Sequence, residues 1–318
     1  MLAVTVTSLA GGAVAASGAA PPRTGGGSIG LRLLDVPAIV RHDPRARLYV
    51  VDHLAPGTVI HRRMMVSNTT RSAVRVGSYA AAASIAKGSF SGAEGRTRNE
   101  LSTWTSVQPS SIEIAAGARA VATVTISIPR DAAPGERYGV IWAEARAAAG
   151  RRGGITEVSR VGIRMYVSVG PGGPPAADFA IESLTAERSD DGRPEIVARV
   201  RNTGGRALDM NGTLRLRDGP GGLSAGPFPA DLGTTLAIGD SEPVAITLDR
   251  QLPDGPWAAQ VVLRSGLLER RAHATVTFPG TTGSSPPYLA IALAVGLLGL
   301  LALALRARSR RRRRLSRV

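Results

Sequence analysis

The chain has 318 residues, a formal net charge of +15 and a hydrophobic content of 43%, but aromatic residues make up only 4% of it. This length and composition suit one large domain or two of ordinary size, and the low aromatic content favours short strands and turns. The absence of cysteine excludes disulfide bridges and metal sites built on thiolates.

The positive charge is unevenly distributed along the chain. Residues 32–164 hold nineteen Arg or Lys against ten Asp or Glu, a net charge of +9, whereas residues 178–271 hold eleven against fourteen, a net charge of −3. Eight further arginines lie in the last thirteen residues. A basic module outside the cell is expected to meet polyanions such as wall polymers rather than chromosomal DNA.

The N-terminal residues predict export. Residues 1–20 form an apolar run that ends in small residues, which is typical of a secretory signal peptide; an uncleaved anchor is the alternative. Residues 21–30 are predicted to be a linker. Gly25, Gly27 and Gly30 have the spacing of a dinucleotide fingerprint there, but no strand precedes them and no helix follows, so this match carries no function.

Residues 31–170 predict a β-sandwich. Apolar and polar residues alternate in Val121–Ile128 and again in Val161–Val169, which indicates strands with one buried face. The Ala-rich segment Tyr79–Ala86 is predicted to be a strand as well. Gly88–Trp104 is polar and too long for a hairpin turn, so we expect a long loop there.

A second sandwich is predicted over 178–279, after a Pro/Gly-rich hinge at 171–177. Segments of the two halves echo each other: Val66–Thr69 matches Val200–Thr203, and Ile114–Gly117 matches Leu236–Gly239. The order of strands and turns is typical of a seven-stranded immunoglobulin-like sandwich, with Tyr138 or Trp257 near a corner. The predicted fold is therefore all-β, with two tandem immunoglobulin-like β-sandwich domains.

The C-terminal residues predict a membrane anchor. After a linker at 280–287, residues 288–305 form eighteen uncharged, mostly apolar residues, which as a helix would be about 27 Å long, close to the thickness of a bilayer core. The Arg-rich tail at 306–318 is then cytoplasmic, and the preceding domains lie outside the cell. The alternative is a buried core helix beside a basic tail that binds nucleic acid.

Enzymatic motifs are weak in this sequence. Ser84 and Lys87 match the S-x-x-K pattern of penicillin-binding proteins, but Lys87 is the only lysine in the chain, so the required K-T-G strand cannot exist. The histidines lack metal-ligand spacing and the carboxylates lie mostly in turns. We expect no enzyme, no metal site and no cofactor.

Binding is the function class that remains. In the predicted loop, Trp104 beside Arg96 and Arg98 would offer a stacking face with anion-binding forks, and Arg151 and Arg152 add charge to the same domain. These five residues are the candidate ligand-binding residues. The alternative is structural: Trp104 caps the core and the arginines are solvated.

Several segments resemble the peptidoglycan-binding domain of WxL-interacting proteins, and the chain resembles an actinobacterial-type member of that family. The matching residues are Leu48–Gly57, Met65–Thr70, Trp104 with Pro109, Ile112–Ile114 with Gly117, Val124–Pro129, and Pro134-Gly135 before Tyr138. The layout of signal, two sandwich-like domains, spanning helix and basic tail is also similar. The resemblance implies that the first domain binds peptidoglycan, and the second half is less similar.

The sequence therefore predicts a single-pass cell-surface protein whose basic first domain binds the cell wall, through peptidoglycan or an associated polyanion. The alternative is a surface receptor or assembly subunit that binds a protein partner through its ectodomain. Expected partners are the wall polymer, one surface protein and the membrane, but no nucleic acid.

Overall fold

The computed structural model describes residues 28–146 and 158–280, and in these ranges strands dominate the secondary structure. The prediction of an all-β fold is confirmed. The predicted signal peptide (1–20), spanning helix (288–305) and tail (306–318) lie outside the described residues. Within those ranges, no helix has the length and apolarity that crossing a membrane requires.

The N-terminal sandwich comprises ten strands. They are β1 (Ile29–Leu33), β2 (Val50–Leu54), β3 (Val59–Asn68), β4 (Val74–Ala86), β5 (Ser89–Gly92), β6 (Thr105–Gln108), β7 (Ser111–Ile114), β8 (Arg119–Ser127), β9 (Gly135–Arg146) and β10 (Val158–Val169). One sheet has the order β1-β3-β8-β6. The other has the order β2-β10-β9-β4-β5, with β7 also paired to β4. We call this second sheet the six-strand sheet; its β2 runs parallel to β10.

The core of the N-terminal sandwich lies between these two sheets. On β8 the side chains of Val124 and Ile126 are buried in this core, and on β10 those of Met165 and Val167 are. The side chains that alternate with them along each strand point to the opposite face of the sheet. This period of two confirms the strands predicted for both segments. The strand predicted for Tyr79–Ala86 is also confirmed, as part of β4.

The long loop predicted over Gly88–Trp104 is wrong. The segment contains β5 and a short helix, α1 (Glu100–Trp104). Lys87 and Gly88 both have positive φ, 50° and 69°, which makes a tight turn between β4 and β5. Asn99 caps α1 by accepting a hydrogen bond from the Ser102 backbone N–H. Lysine followed by glycine is a weak turn signal, so the sequence pattern hid this hairpin.

The C-terminal sandwich has seven strands, as predicted for an immunoglobulin-like domain, whereas the N-terminal sandwich has more. The strands are β11 (Phe179–Arg188), β12 (Pro194–Asn202), β13 (Leu208–Arg217), β14 (Ala225–Leu236), β15 (Ser241–Thr247), β16 (Trp257–Ser265) and β17 (Leu268–Val276). They form the sheets β11-β12-β15 and β14-β13-β16-β17. Trp257, which is 1% exposed, lies in the core between them. Its Nε1 donates to the Pro253 carbonyl at 2.9 Å, four residues upstream, as a corner tyrosine does.

The echo between the two halves has a structural basis in two buried asparagines. Asn68 Nδ2 donates to the carbonyls of Ser72, Ile114 and Ala115 at 2.8–3.1 Å. Asn202 Nδ2 donates to the carbonyls of Arg206, Leu236 and Ala237 at 2.9–3.4 Å. Each asparagine thus fastens the end of one strand to the turn that the sequence repeat pairs with it. We call these two side chains the asparagine clamps.

Candidate functional site

The predicted ligand-binding residues do not form one stack. Trp104 is half-buried against the core of the N-terminal sandwich, and the guanidinium over its ring, 5.0 Å from the centroid, is that of Arg137. Arg96 lies instead over Tyr79, at 4.5 Å. Arg98 is exposed. Arg151 and Arg152 lie outside the described residues. Trp104 therefore has the structural position that the sequence left open as the alternative.

The residues with potential chemistry are dispersed. Ser84 lies in β4 and Lys87 in the turn that follows. His53 Nδ1 lies 2.8 Å from the Ser168 hydroxyl, and Ser168 is only 5% exposed, so a substrate could not reach this pair. Residues 28–146 and 158–280 contain no group of three metal-ligating side chains.

A buried polar network joins the two sandwiches, centred on Asp209 at the start of β13. Its carboxylate accepts hydrogen bonds from Arg45 Nε at 2.8 Å, Arg164 Nη1 at 3.1 Å, the Tyr166 hydroxyl at 2.8 Å and the Thr235 hydroxyl at 2.8 Å. The Arg45 side chain is 8% exposed and that of Asp209 is 17% exposed. Arg45 Nη1 also donates to the Ala207 carbonyl at 3.0 Å. Low exposure makes these charge-assisted bonds strongly orienting.

Aromatic rings surround this network on the side of the N-terminal sandwich. Tyr166 contacts the rings of Tyr49, Phe90 and Tyr138, with centroid separations of 5.3–6.0 Å. The Arg45 guanidinium lies 4.7 Å from the centroid of the Tyr166 ring. Burial raises the pKa of the Tyr166 hydroxyl well above its ordinary value, so this group stays a hydrogen-bond donor to Asp209. The junction is thus packed as well as hydrogen-bonded.

Glu136 makes a second link across the junction. Its Oε2 accepts from the Ala207 backbone N–H at 2.6 Å and from the Tyr138 hydroxyl at 2.8 Å. Burial raises the pKa of the Glu136 carboxyl, and these two hydrogen bonds partly oppose that shift. A backbone bond from Thr235 N to the Gly88 carbonyl, at 2.8 Å, adds a third contact. Several fixed contacts therefore join the two sandwiches, in addition to the segment 171–177 that was predicted as a hinge.

The two most exposed large apolar side chains of the described residues flank this junction. Leu48 is 62% exposed and follows the 3-10 helix Pro44–Arg47, which carries Arg45. Leu267 is 73% exposed and lies in the turn between β16 and β17. A Cβ added to the neighbouring Gly266 would lie only 2.8 Å from the Asp43 carboxylate. Leu48 and Leu267 thus belong to two segments, one from each sandwich, that approach each other at Asp43 and Gly266.

Sequence reasoning missed the junction, although part of its signal was present. The alternation in β10 places Arg164, Tyr166 and Ser168 on the face that points away from the sandwich core. A tyrosine and an arginine on an outer face are usually solvated, so nothing marked that face as covered. The partner residue Asp209 lies 43 positions further along the chain, beyond any local pattern.

Comparisons with known proteins find only distant structural matches. No protein-family model and no curated protein matches the chain. Among solved structures, the YadV chaperone has a TM-score of 0.40 and 12% identity, covering 78% of this chain and all of its own. The SafB chaperone of Salmonella enterica, in complex with the SafA pilin, has a TM-score of 0.40 and 12% identity, over 78% and 96%. The Escherichia coli chaperone DraB has a TM-score of 0.37 and 10% identity, and the match covers 79% of this chain and 97% of DraB. At these TM-scores the likeness does not indicate what this chain binds, and the resemblance to WxL-interacting proteins stays a prediction.

Proposed function

We propose that the chain is a non-enzymatic binding protein that engages a protein partner through a surface shared by its two sandwiches. This is the receptor or assembly-subunit alternative of the sequence analysis. Its strongest support is the pair Leu48 and Leu267, the most exposed large apolar side chains of the described residues, on the two sides of one junction. Single exposed leucines are ordinary, but two contributed by segments of two domains that approach each other are what a shared interface needs.

The junction gives such a surface a fixed shape. Asp209, Arg45 and Glu136 bridge the sandwiches with charge-assisted bonds that exclude most of the solvent. A surface preorganised in this way loses little conformational entropy when a partner binds across both domains. The depressions on the described surface are open and lined by few apolar residues, which suits a macromolecule better than a small molecule.

A site-specific crosslinking experiment tests this proposal. A photoreactive amino acid is placed at Leu48 or at Leu267 of the full chain, in the organism that encodes it. Both positions are expected to give an adduct with the same protein. Val121, 51% exposed, and Leu223, 50% exposed, are the matched control positions on the two sandwiches. Equal adducts at all four positions, or different proteins at 48 and 267, would refute a shared interface.

Wall-polymer binding by the basic N-terminal sandwich is the second candidate. The net charge of +9 over residues 32–164 favours it. Anchoring by residues 288–305, with the sandwiches outside the cell, belongs to both proposals. Truncation at about residue 285 is expected to release the protein into the medium, and a chain that stays with the membrane would contradict this anchor as the sole attachment. Co-sedimentation of the purified chain with insoluble peptidoglycan tests wall binding.

A further inference from the structure

Two arginines lie over two aromatic rings on the outer face of the six-strand sheet. The Arg160 guanidinium is 4.4 Å from the centroid of the Trp142 ring, and the Arg96 guanidinium is 4.5 Å from that of Tyr79. Tyr79 on β4 and Trp142 on β9 are direct cross-strand partners. We call these four residues the stacked-arginine patch.

Small residues hold the indole of this patch flat against the sheet. A Cβ added to Gly162 would lie 2.6 Å from the Trp142 ring, and one added to Gly92 would lie 2.7 Å from it. Trp142 Nε1 donates to the Ala93 carbonyl at 3.2 Å, which fixes the direction of the ring. Ala81, on the strand beside Trp142, is fully buried. The Trp142 ring therefore gives the patch a flat surface.

The charge of the patch is only partly balanced: Glu144 is the cross-strand partner of Arg160, but its salt bridge is to Arg146. Glu144, the nearest carboxylate along β9, accepts from the Tyr79 hydroxyl at 2.7 Å and from Arg146 Nε at 2.9 Å. The hydrogen bond from Tyr79 lowers the pKa of Glu144, which therefore stays ionised and paired with Arg146. Within the residues that the structure describes, no salt bridge joins Arg96 or Arg160 to a carboxylate.

Stacking prepares both guanidinium groups for an oxyanion. An arginine held over a ring is positioned without using all five of its N–H groups, and the remaining N–H groups match the two oxygens of a carboxylate. Two such groups, held over rings on the neighbouring strands β4 and β9, suit a ligand with repeated acidic groups. We infer that the stacked-arginine patch binds a carboxylate-bearing polysaccharide, an inference that rests on the second candidate function, polymer binding.

The position of the patch favours a sugar chain over an acidic peptide. Strands β9 and β4 are each paired on both sides, so they offer no free backbone edge for a peptide to extend. The open depressions on the described surface are lined by other residues, so the patch offers a peptide side chain only a flat surface. A pyranose chair presents a broad face, and a uronic acid carries its carboxylate directly on the ring, so a chain of uronic acids can lie across both guanidinium groups.

Charge-conserving variants test this inference on the full chain, with polygalacturonate as the probe and neutral dextran as the control polymer. Arg96→Lys with Arg160→Lys keeps the net charge but removes the planar forks, and we expect a loss of about tenfold in affinity for polygalacturonate. The matched control is Arg32→Lys with Arg119→Lys, two arginines that line an open depression of about 500 Å³ on the opposite sheet. We expect this control to change the affinity less than about twofold.

The possible outcomes distinguish a failure of the patch as the binding site from a failure of polymer binding itself. Equal affinities of both double variants and wild type would overturn the patch as the site while polymer binding stands. No binding of wild type to polygalacturonate would overturn polymer binding as well. Equal or tighter binding of poly-L-glutamate, with the same loss in the patch variant, would overturn the polysaccharide in favour of an acidic peptide. Unchanged tryptophan fluorescence of the lysine variants verifies that the indole is in place.

Discussion

Replacement of Asp209 by Asn perturbs the junction without changing its shape. The carboxamide is nearly isosteric and still accepts from Tyr166 and Thr235, but it carries no charge to balance Arg45 and Arg164. Removing one partner of a buried ion pair costs about 3–5 kcal/mol. The Asp209 side chain is 17% exposed and that of Arg164 is 29% exposed, so water offsets part of this cost. We therefore expect the lower end, about 3 kcal/mol of unfolding free energy.

Urea unfolding of the purified chain measures this effect. With a slope of about 2–3 kcal/mol per molar urea, a loss of about 3 kcal/mol lowers the midpoint by about 1 M or more. Trp104 and Trp142 report on the N-terminal sandwich and Trp257 on the C-terminal one. In wild type we expect their transitions to coincide, and in Asp209→Asn we expect them to separate because the junction is weakened.

The matched control is Asp191→Asn. Asp191 pairs with Arg193 in an exposed turn of the C-terminal sandwich, where ion pairs contribute little. We expect its midpoint to equal that of wild type. If Asp209→Asn behaves like Asp191→Asn, the junction network does not hold the sandwiches together, and the rigid shared surface loses its basis.

Three further predictions concern the clamps, the junction and the patch. Asn68→Ala removes the donor from one buried and two half-buried carbonyls, and we expect about 2–3 kcal/mol less unfolding free energy in the same urea assay; an unchanged midpoint would contradict the clamp. Because burial raises the pKa of Glu136 above its ordinary value of 4.5, stability from this group is present below pH 4.5 and is lost as the pH rises through the raised pKa. We therefore expect the unfolding free energy to fall less between pH 4.5 and pH 8 in Glu136→Gln than in wild type. An equal fall in both proteins would contradict this role of Glu136. Gly162→Ala places a Cβ 2.6 Å from the Trp142 ring, so we expect a shifted tryptophan emission and a loss of about 1–3 kcal/mol, whereas unchanged emission would show that the ring is not packed there.

Local periodicity was sufficient to predict strands β8 and β10. The alternation in β8 and β10 depends only on residues two positions apart, and each strand has one face in a core, so the sequence reports it directly. The hairpin between β4 and β5 was missed because Lys87 adopts positive φ without the Asn or Asp that usually marks such a turn. Here tertiary pairing to β4 overrides a weak local signal.

The candidate site was harder to predict because it depends on contacts between distant segments. Arg96 was predicted to lie beside Trp104, but its guanidinium lies over Tyr79, and the guanidinium over Trp104 is that of Arg137. Tyr79 was hidden inside an Ala-rich strand and lies 17 positions upstream of Arg96. Asp209 resembled an ordinary strand residue, and only the docking of the two sandwiches reveals that four donors converge on it.

The asparagine clamps have a consequence for where this chain can fold. Asn68 ties together residues 46 positions apart and Asn202 ties residues 34 positions apart, spans comparable to those that sulfur bridges close in many exported sandwiches. An amide needs no oxidant to form such a tie and no reductant can open it. Thermal unfolding of this cysteine-free chain should thus be the same with and without dithiothreitol, and its folding is independent of the redox state of the compartment it occupies.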